Sequence, residues 1–118
     1  MRLIGQLDSP YVRRTAISLK YLGIGFEHES LSVFSNTEQL AAINPLVKVP
    51  TLVCGDGMVL LDSTLIIDYF AASSGRSILT PSDPVTWQRD VRITGLALAA
   101  CEKAVQRVYE DRLRPEDK

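Results

Sequence analysis

The chain has 118 residues, enough for one domain of ordinary size with a single main core. Hydrophobic residues make up 46%, charged residues 23%, and the net charge is −1, so there is no basic excess to hold a phosphate backbone and no nucleic-acid partner is expected. The opening "MRLIGQLDSP" has too short an apolar run for a secretory signal and no segment approaches a membrane-spanning length, which predicts a soluble, cytoplasmic protein with no membrane partner.

Arg2 to Leu7 is a short apolar-rich run that ends at Asp8 and suits a buried first strand. Ser9-Pro10 then opens a helix to about Leu22: serine accepts from an unpaired backbone N–H, and proline at the first helical position has no N–H to leave unpaired. Val12, Ala16 and Leu19 share one face of it, Arg13, Arg14 and Lys20 lie outside as a solvated face, and Gly23 stops it. Ile24 to Val33 reads as a second strand. Ser35 and Glu38 form a capping-box pattern for a short helix through Ile43, which Asn44-Pro45 ends.

"KVPTLVC", Gly55-Asp56-Gly57 and "MVLL" predict a β-hairpin. Asp62-Ser63 precede an apolar-periodic run, Leu65 to Ala72, closed by Gly75. The order is βαβαββα, an α/β domain. Residues 76–84, "RSILTPSDP", read as a linker. Trp87, Val91, Thr94, Leu98, Cys101, Val105 and Val108 then mark a heptad-like stripe on one long helix.

Taken one at a time, Ser9, Asp62-Ser63 and Pro50 are helix starts and a strand edge. The lone His28 is assigned no role. Cys54 and Cys101 have neither a Cys-x-x-Cys nor a metal-ligand spacing, and read as free thiols packed as small apolar residues; no metal is expected.

The succession changes that reading. A strand leading into "SPYVRR", a helix–strand–helix passage, "NPLVKVPTLV", a hairpin, "DS" and a further helix resemble the thioredoxin-like domain of cytosolic glutathione transferases. The opening is most similar to bacterial members with serine where glutaredoxins have the first cysteine of Cys-Pro-Tyr-Cys. The resemblance spans residues 1 to about 76 and continues through 84–118 as the first long helix of the family's all-α second domain, "RLRPED" included. It implies a glutathione-binding domain over 1–76, a linker over 77–84 and an incomplete all-α domain over 85–118. As written, the chain looks truncated.

The resemblance also implies roles. Ser9 would donate its hydroxyl to the glutathione sulfur, as the catalytic residue. Val49, joined to Pro50 by a cis bond, would pair its backbone with the cysteinyl unit. Ser63, at a helix start, would hold the γ-glutamyl carboxylate with its hydroxyl and backbone N–H. Asp62 would meet the glutamyl ammonium and Lys48 the glycyl carboxylate. Two departures stand out. Val47 replaces the glycine of the family's usual Asn-Pro-x-Gly-Lys-Val-Pro, and Asp62 replaces a common glutamate.

The energetics allow this mechanism. Lowering a thiol pKa by about two units needs roughly 2.7 kcal/mol of preference for the anion. A hydrogen bond to a charged group contributes about 1.5–3 kcal/mol and a helix N-terminus roughly 0.3–1 more. Ser9 and its helix suffice without a base, and a mixed-disulfide mechanism would need cysteine there. The implied activity is conjugation of glutathione, as co-substrate, to a hydrophobic electrophile, a detoxification chemistry carried out by a homodimer. The alternative is a non-catalytic interaction module of the transcription or translation machinery, which would flow through immobilised glutathione.

Overall fold

Four strands of three residues each, flanked by helices, carry the first part of the chain. The structure is a computed structural model and describes residues 1–75 and 78–114. The elements are β1 (Arg2–Ile4), α1 (Pro10–Tyr21), β2 (Glu27–Glu29), α2 (Thr37–Ile43), β3 (Thr51–Val53), β4 (Val59–Leu61), α3 (Ser63–Ser74) and α4 (Pro84–Leu113). The expected βαβαββα order is present. The sheet runs β2-β1-β3-β4, with β1 parallel to β2 and antiparallel to β3, and β3 antiparallel to β4. Ile4 pairs with Glu29 on one side and Thr51 on the other, and Thr51 pairs with Leu61.

Leu3, Val12, Ala16, Leu19, Leu52 and Ile66 form the core cluster, with α1 and α3 packed side by side. The i, i+4, i+7 face read from the sequence of α1 is therefore the buried one. Each fully buried aliphatic side chain of this kind contributes about 1.5–3 kcal/mol.

Three expectations need correction. β1 stops at Ile4 rather than Leu7: Gly5 still donates to Glu29 O of β2 at 2.9 Å, but its φ of 137° turns the chain out of the strand. β2 is only Glu27–Glu29, not residues 24–33, because Leu31 N bonds back to Glu29 O at 3.0 Å and bends the chain away. Ser35 is not the cap of α2. Asn36 holds that position without a side-chain cap bond, its Oδ1 accepting instead from Ser32 N at 2.9 Å. Local side-chain turns compete with the cap for the same backbone donors.

The hairpin turn is as expected: Cys54 N donates to Met58 O, Gly57 N to Cys54 O, and Gly57 takes φ 90°. Cys54 packs partly buried against the core cluster, whereas Cys101 lies half-buried on α4, outside that cluster.

The chain divides into two compact units, Met1–Leu79 and the part from Thr80 on. Positions 76, 77 and 115–118 lie outside the described residues, and with them the start of the expected linker and the second half of the expected "RLRPED" ending. In the second unit, α4 begins at Pro84 with Asp83 as its cap. Asp83 accepts from Thr86 N at 2.9 Å and from Thr86 Oγ1 at 2.8 Å, and these bonds hold its carboxyl below the usual range. No residue of α4 is fully buried; along the stripe Thr94, Leu98, Cys101 and Val105 are half-buried, and Trp87, Val91 and Val108 are exposed.

Candidate functional site

Three chain segments of the first unit bear the residues singled out from the sequence. The first is the start of α1. Ser9 has extended backbone (φ −72°, ψ 125°), Pro10 begins the helix, and Ser9 Oγ accepts from Val12 N at 3.3 Å. Arg13 Nε donates to Leu7 O at 3.0 Å and closes the loop that leads in. A serine hydroxyl accepts and donates at once. Capping therefore leaves the Ser9 hydrogen to give to something else, and the two roles do not compete.

The second segment runs from Asn44 to Thr51. Leu46 N donates to Asn44 Oδ1 and Val47 N to Asn44 O, and Val47 takes φ 51°. The glycine that the family pattern favours at this position suits that left-handed backbone; here a β-branched valine adopts it. Lys48 is exposed, Val49 half-buried and Pro50 buried, and the Val49–Pro50 bond is cis, as the resemblance implies.

Gly5 ties these two segments together. A Cβ on Gly5 would lie 2.5 Å from Val12 Cγ2 and 2.9 Å from Val49 Cβ. The first turn of α1 and the residue before the cis proline thus meet over one bare backbone.

The third segment is the start of α3. Asp62, at φ 75°, caps it through Oδ1, accepting from Thr64 N at 2.9 Å and Leu65 N at 3.2 Å. These bonds occupy both amides, so Ser63 N is the first-turn donor left next to the buried Ser63 side chain. Arg14 Nη1 donates to Ser63 Oγ at 2.9 Å and to Thr64 Oγ1 at 3.0 Å. Arg14, expected on a solvated face, is instead half-buried between α1 and α3. It brings a positive charge to the beginning of α3.

Contacts thus join the first turns of α1 to the loop before Pro50, where Gly5 lies between Val12 and Val49, and to the start of α3, where Arg14 reaches Ser63 and Thr64. Lys48 sits beside Val49 with its side chain in solvent. His28 is exposed on β2 with Nε2 2.6 Å from Gly5 O. Cys54 follows β3 at the start of the hairpin turn, its thiol pushed up by burial and by the Asp56 carboxylate, which makes it a poor nucleophile. Among the described residues no cluster of three or more His, Cys, Asp and Glu could hold a metal ion, and no helix is long and apolar enough to cross a membrane.

Sequence reasoning missed Gly5 and Arg14. A glycine at the end of a strand marks close backbone approach, so Gly5 carried a signal. Arg14 carried none, because its partners lie 49 and 50 positions away.

Comparison with known proteins places the fold in a family. Residues 3–77 match the family described as glutathione S-transferase, N-terminal domain. The chain is 35% identical over 97 residues to the uncharacterized GST-like protein YibF of Escherichia coli, covering 82% of this chain and 48% of that protein. It is 36% identical over 85 residues to glutathione S-transferase U1 of Arabidopsis thaliana, covering 71% and 38%. Among solved structures, a glutathione S-transferase from Methylobacillus flagellatus with glutathione bound superposes with a TM-score of 0.80 at 31% identity, covering 98% of this chain and 57% of that one. A glutathione transferase family member from Pseudomonas fluorescens, also with bound glutathione, gives 0.78 at 30%, covering 99% and 59%. The chain spans between 38% and 59% of the length of these relatives.

Proposed function

Because the chain belongs to the glutathione S-transferase N-terminal domain family, we propose that it binds glutathione and stabilises its thiolate for conjugation to a hydrophobic electrophile. In this reading the protein is a serine-type transferase of the bacterial Ser-Pro-Tyr-Val-Arg kind. It comprises a thioredoxin-like glutathione-binding domain over 1–76, a linker over 77–84 and the opening of an all-α domain over 85–118. It acts as a cytoplasmic homodimer in detoxification, with glutathione as co-substrate and no metal.

The observation that carries the reading is the joining of two helix starts by one arginine. Ser9 stands at the positive end of α1, and Arg14 of the same helix reaches Ser63 at the positive end of α3. A tripeptide laid between them would meet a hydroxyl at its sulfur and a guanidinium, a hydroxyl and the Ser63 N–H at its γ-glutamyl carboxylate. Anions are favoured at helix N-termini, and guanidinium–carboxylate contacts are among the stronger hydrogen bonds. Between them, the Val49 backbone would pair with the cysteinyl unit. Asp62 Oδ1 already caps α3, so its other oxygen would meet the glutamyl ammonium. Lys48, exposed at the loop's tip, would reach the glycyl carboxylate.

The test is an ultraviolet difference titration of bound glutathione in wild type and Ser9→Ala. Replacing the hydroxyl removes a charge-assisted hydrogen bond, so the thiol pKa should rise by about one to two units with glutathione still bound. Equal thiol pKa values in the two proteins would refute the role of Ser9.

A further inference from the structure

We propose that the buried Asn44–Thr51 pair orients the Lys48–Val49 peptide toward the ligand, making Thr51 a positioning residue for glutathione; this rests on the site reading given above. Thr51 is fully buried and Asn44 is 3% exposed. Thr51 sits in the middle of the sheet, paired with Ile4 and Leu61, where an aliphatic side chain would pack without leaving polar groups to satisfy. A buried hydroxyl and a buried amide are costly unless each finds partners, and here both do.

The partners are all in one loop. Thr51 Oγ1 donates to Lys48 O at 2.6 Å and accepts from Asn44 Nδ2 at 3.0 Å. Asn44 Oδ1 accepts from Leu46 N at 3.0 Å, and Asn44 O accepts from Val47 N at 2.9 Å. Two side chains thus grip the loop at Lys48 O and Leu46 N, the Asn44 main-chain carbonyl holds Val47 N, and together they fix the peptide after Lys48. In a trans peptide the carbonyl and the following N–H point in opposite directions. The Lys48 carbonyl is drawn inward to Thr51, so the Val49 N–H is turned outward. That N–H has no hydrogen bond among the described residues, and Val49 is the residue whose backbone is read as meeting the cysteinyl unit.

Three variants of the full chain separate this role from packing. Thr51→Val keeps the volume and deletes both hydroxyl bonds. Thr51→Ser keeps the hydroxyl and loses a methyl group. Asn44→Asp keeps the acceptor for Leu46 N but supplies a carboxylate that draws the Thr51 hydrogen off Lys48 O. Glutathione titration followed by amide NMR should show affinity falling about tenfold in Thr51→Val and Asn44→Asp, the loss of one hydrogen bond, and staying within about twofold in Thr51→Ser. Without ligand, the Lys48 and Val49 amide signals should move in the first two variants and return in the third. Wild-type protein that binds no glutathione overturns the functional reading and this role with it. Wild type that binds, with Lys48 and Val49 signals unmoved or affinity unchanged in Thr51→Val or Asn44→Asp, overturns the positioning role alone. Should Thr51→Val not fold, Asn44→Asp against Thr51→Ser decides.

Discussion

Arg14 on α1 donates to the hydroxyl of Ser63, the first residue of α3, across 49 positions of sequence and 2.9 Å of space. A guanidinium only donates, so Ser63 must point its own hydrogen elsewhere, as must Thr64. Two hydroxyl donors and one cation thereby converge on a helix start.

Arg14→Met should weaken glutathione binding by about tenfold, from the loss of a hydrogen bond to a charged group. Cysteinylglycine, which has no glutamyl carboxylate, should bind wild type and variant equally. Calorimetry with both probes checks it; an equal loss for both would mean that Arg14 only holds α1 to α3.

Gly5 tolerates no side chain. A methyl group there would press on Val12 and Val49 from a backbone at φ 137°, which L residues rarely adopt. Gly5→Ala should destabilise the first unit by about 2–4 kcal/mol from overpacking together with the backbone penalty. A urea midpoint equal to that of wild type would contradict the close approach.

Val47 holds a left-handed backbone at φ 51° that disfavours a β-branched residue. Val47→Gly should therefore be neutral to stabilising by up to about 1 kcal/mol, the relief of about 1–2 kcal/mol being partly offset by the greater freedom of glycine in the unfolded chain. Thermal denaturation reads the sign. A clear loss of stability would show that the valine side chain contributes packing that outweighs its backbone.

Asp83 carries a pH dependence in α4. Its carboxyl is held below the usual range by the Thr86 bonds, so the cap is fully formed above the ordinary carboxylate pKa. It is lost as pH falls through the lowered folded value. The Thr86 amide proton should titrate with that lowered value in NMR, and the step should vanish in Asp83→Asn.

The features legible in the sequence were those written in adjacent residues. Ser9-Pro10 and Asp62-Ser63 mark helix starts because a cap and its helix are neighbours, and the Gly-rich hairpin turn is equally local. The strand ends are not legible because β pairing is decided by partners elsewhere: Phe26 and Leu31 both suit a strand, yet neither lies in β2, and the Leu31 N–H turns back to Glu29 O. Ser35 is not the cap because Ser32 Oγ takes the Ser35 N–H that Glu38 would have accepted, and the helix is capped one residue later, at Asn36. Arg14 was out of reach because nothing near it in sequence distinguishes a solvated arginine from one that crosses to another helix. Position by position, the resemblance to glutathione transferases supplied what periodicity did not.

The ladder register has a consequence for how such a site comes into being. Ile4, Thr51 and Leu61 form a single row across three strands. The residues next to that row in the chain are Gly5, Pro50 and Asp62, from which every part of the candidate site departs. Strands of three residues leave no slack: slipping one strand by a single position would carry its segment about 3.3 Å along the sheet and turn its side chains to the other face. The Arg14 bridge and the Asn44–Thr51 pair hold the segments only once this row has set where each begins. A shifted register would therefore show in the shape of the site with every side chain unchanged.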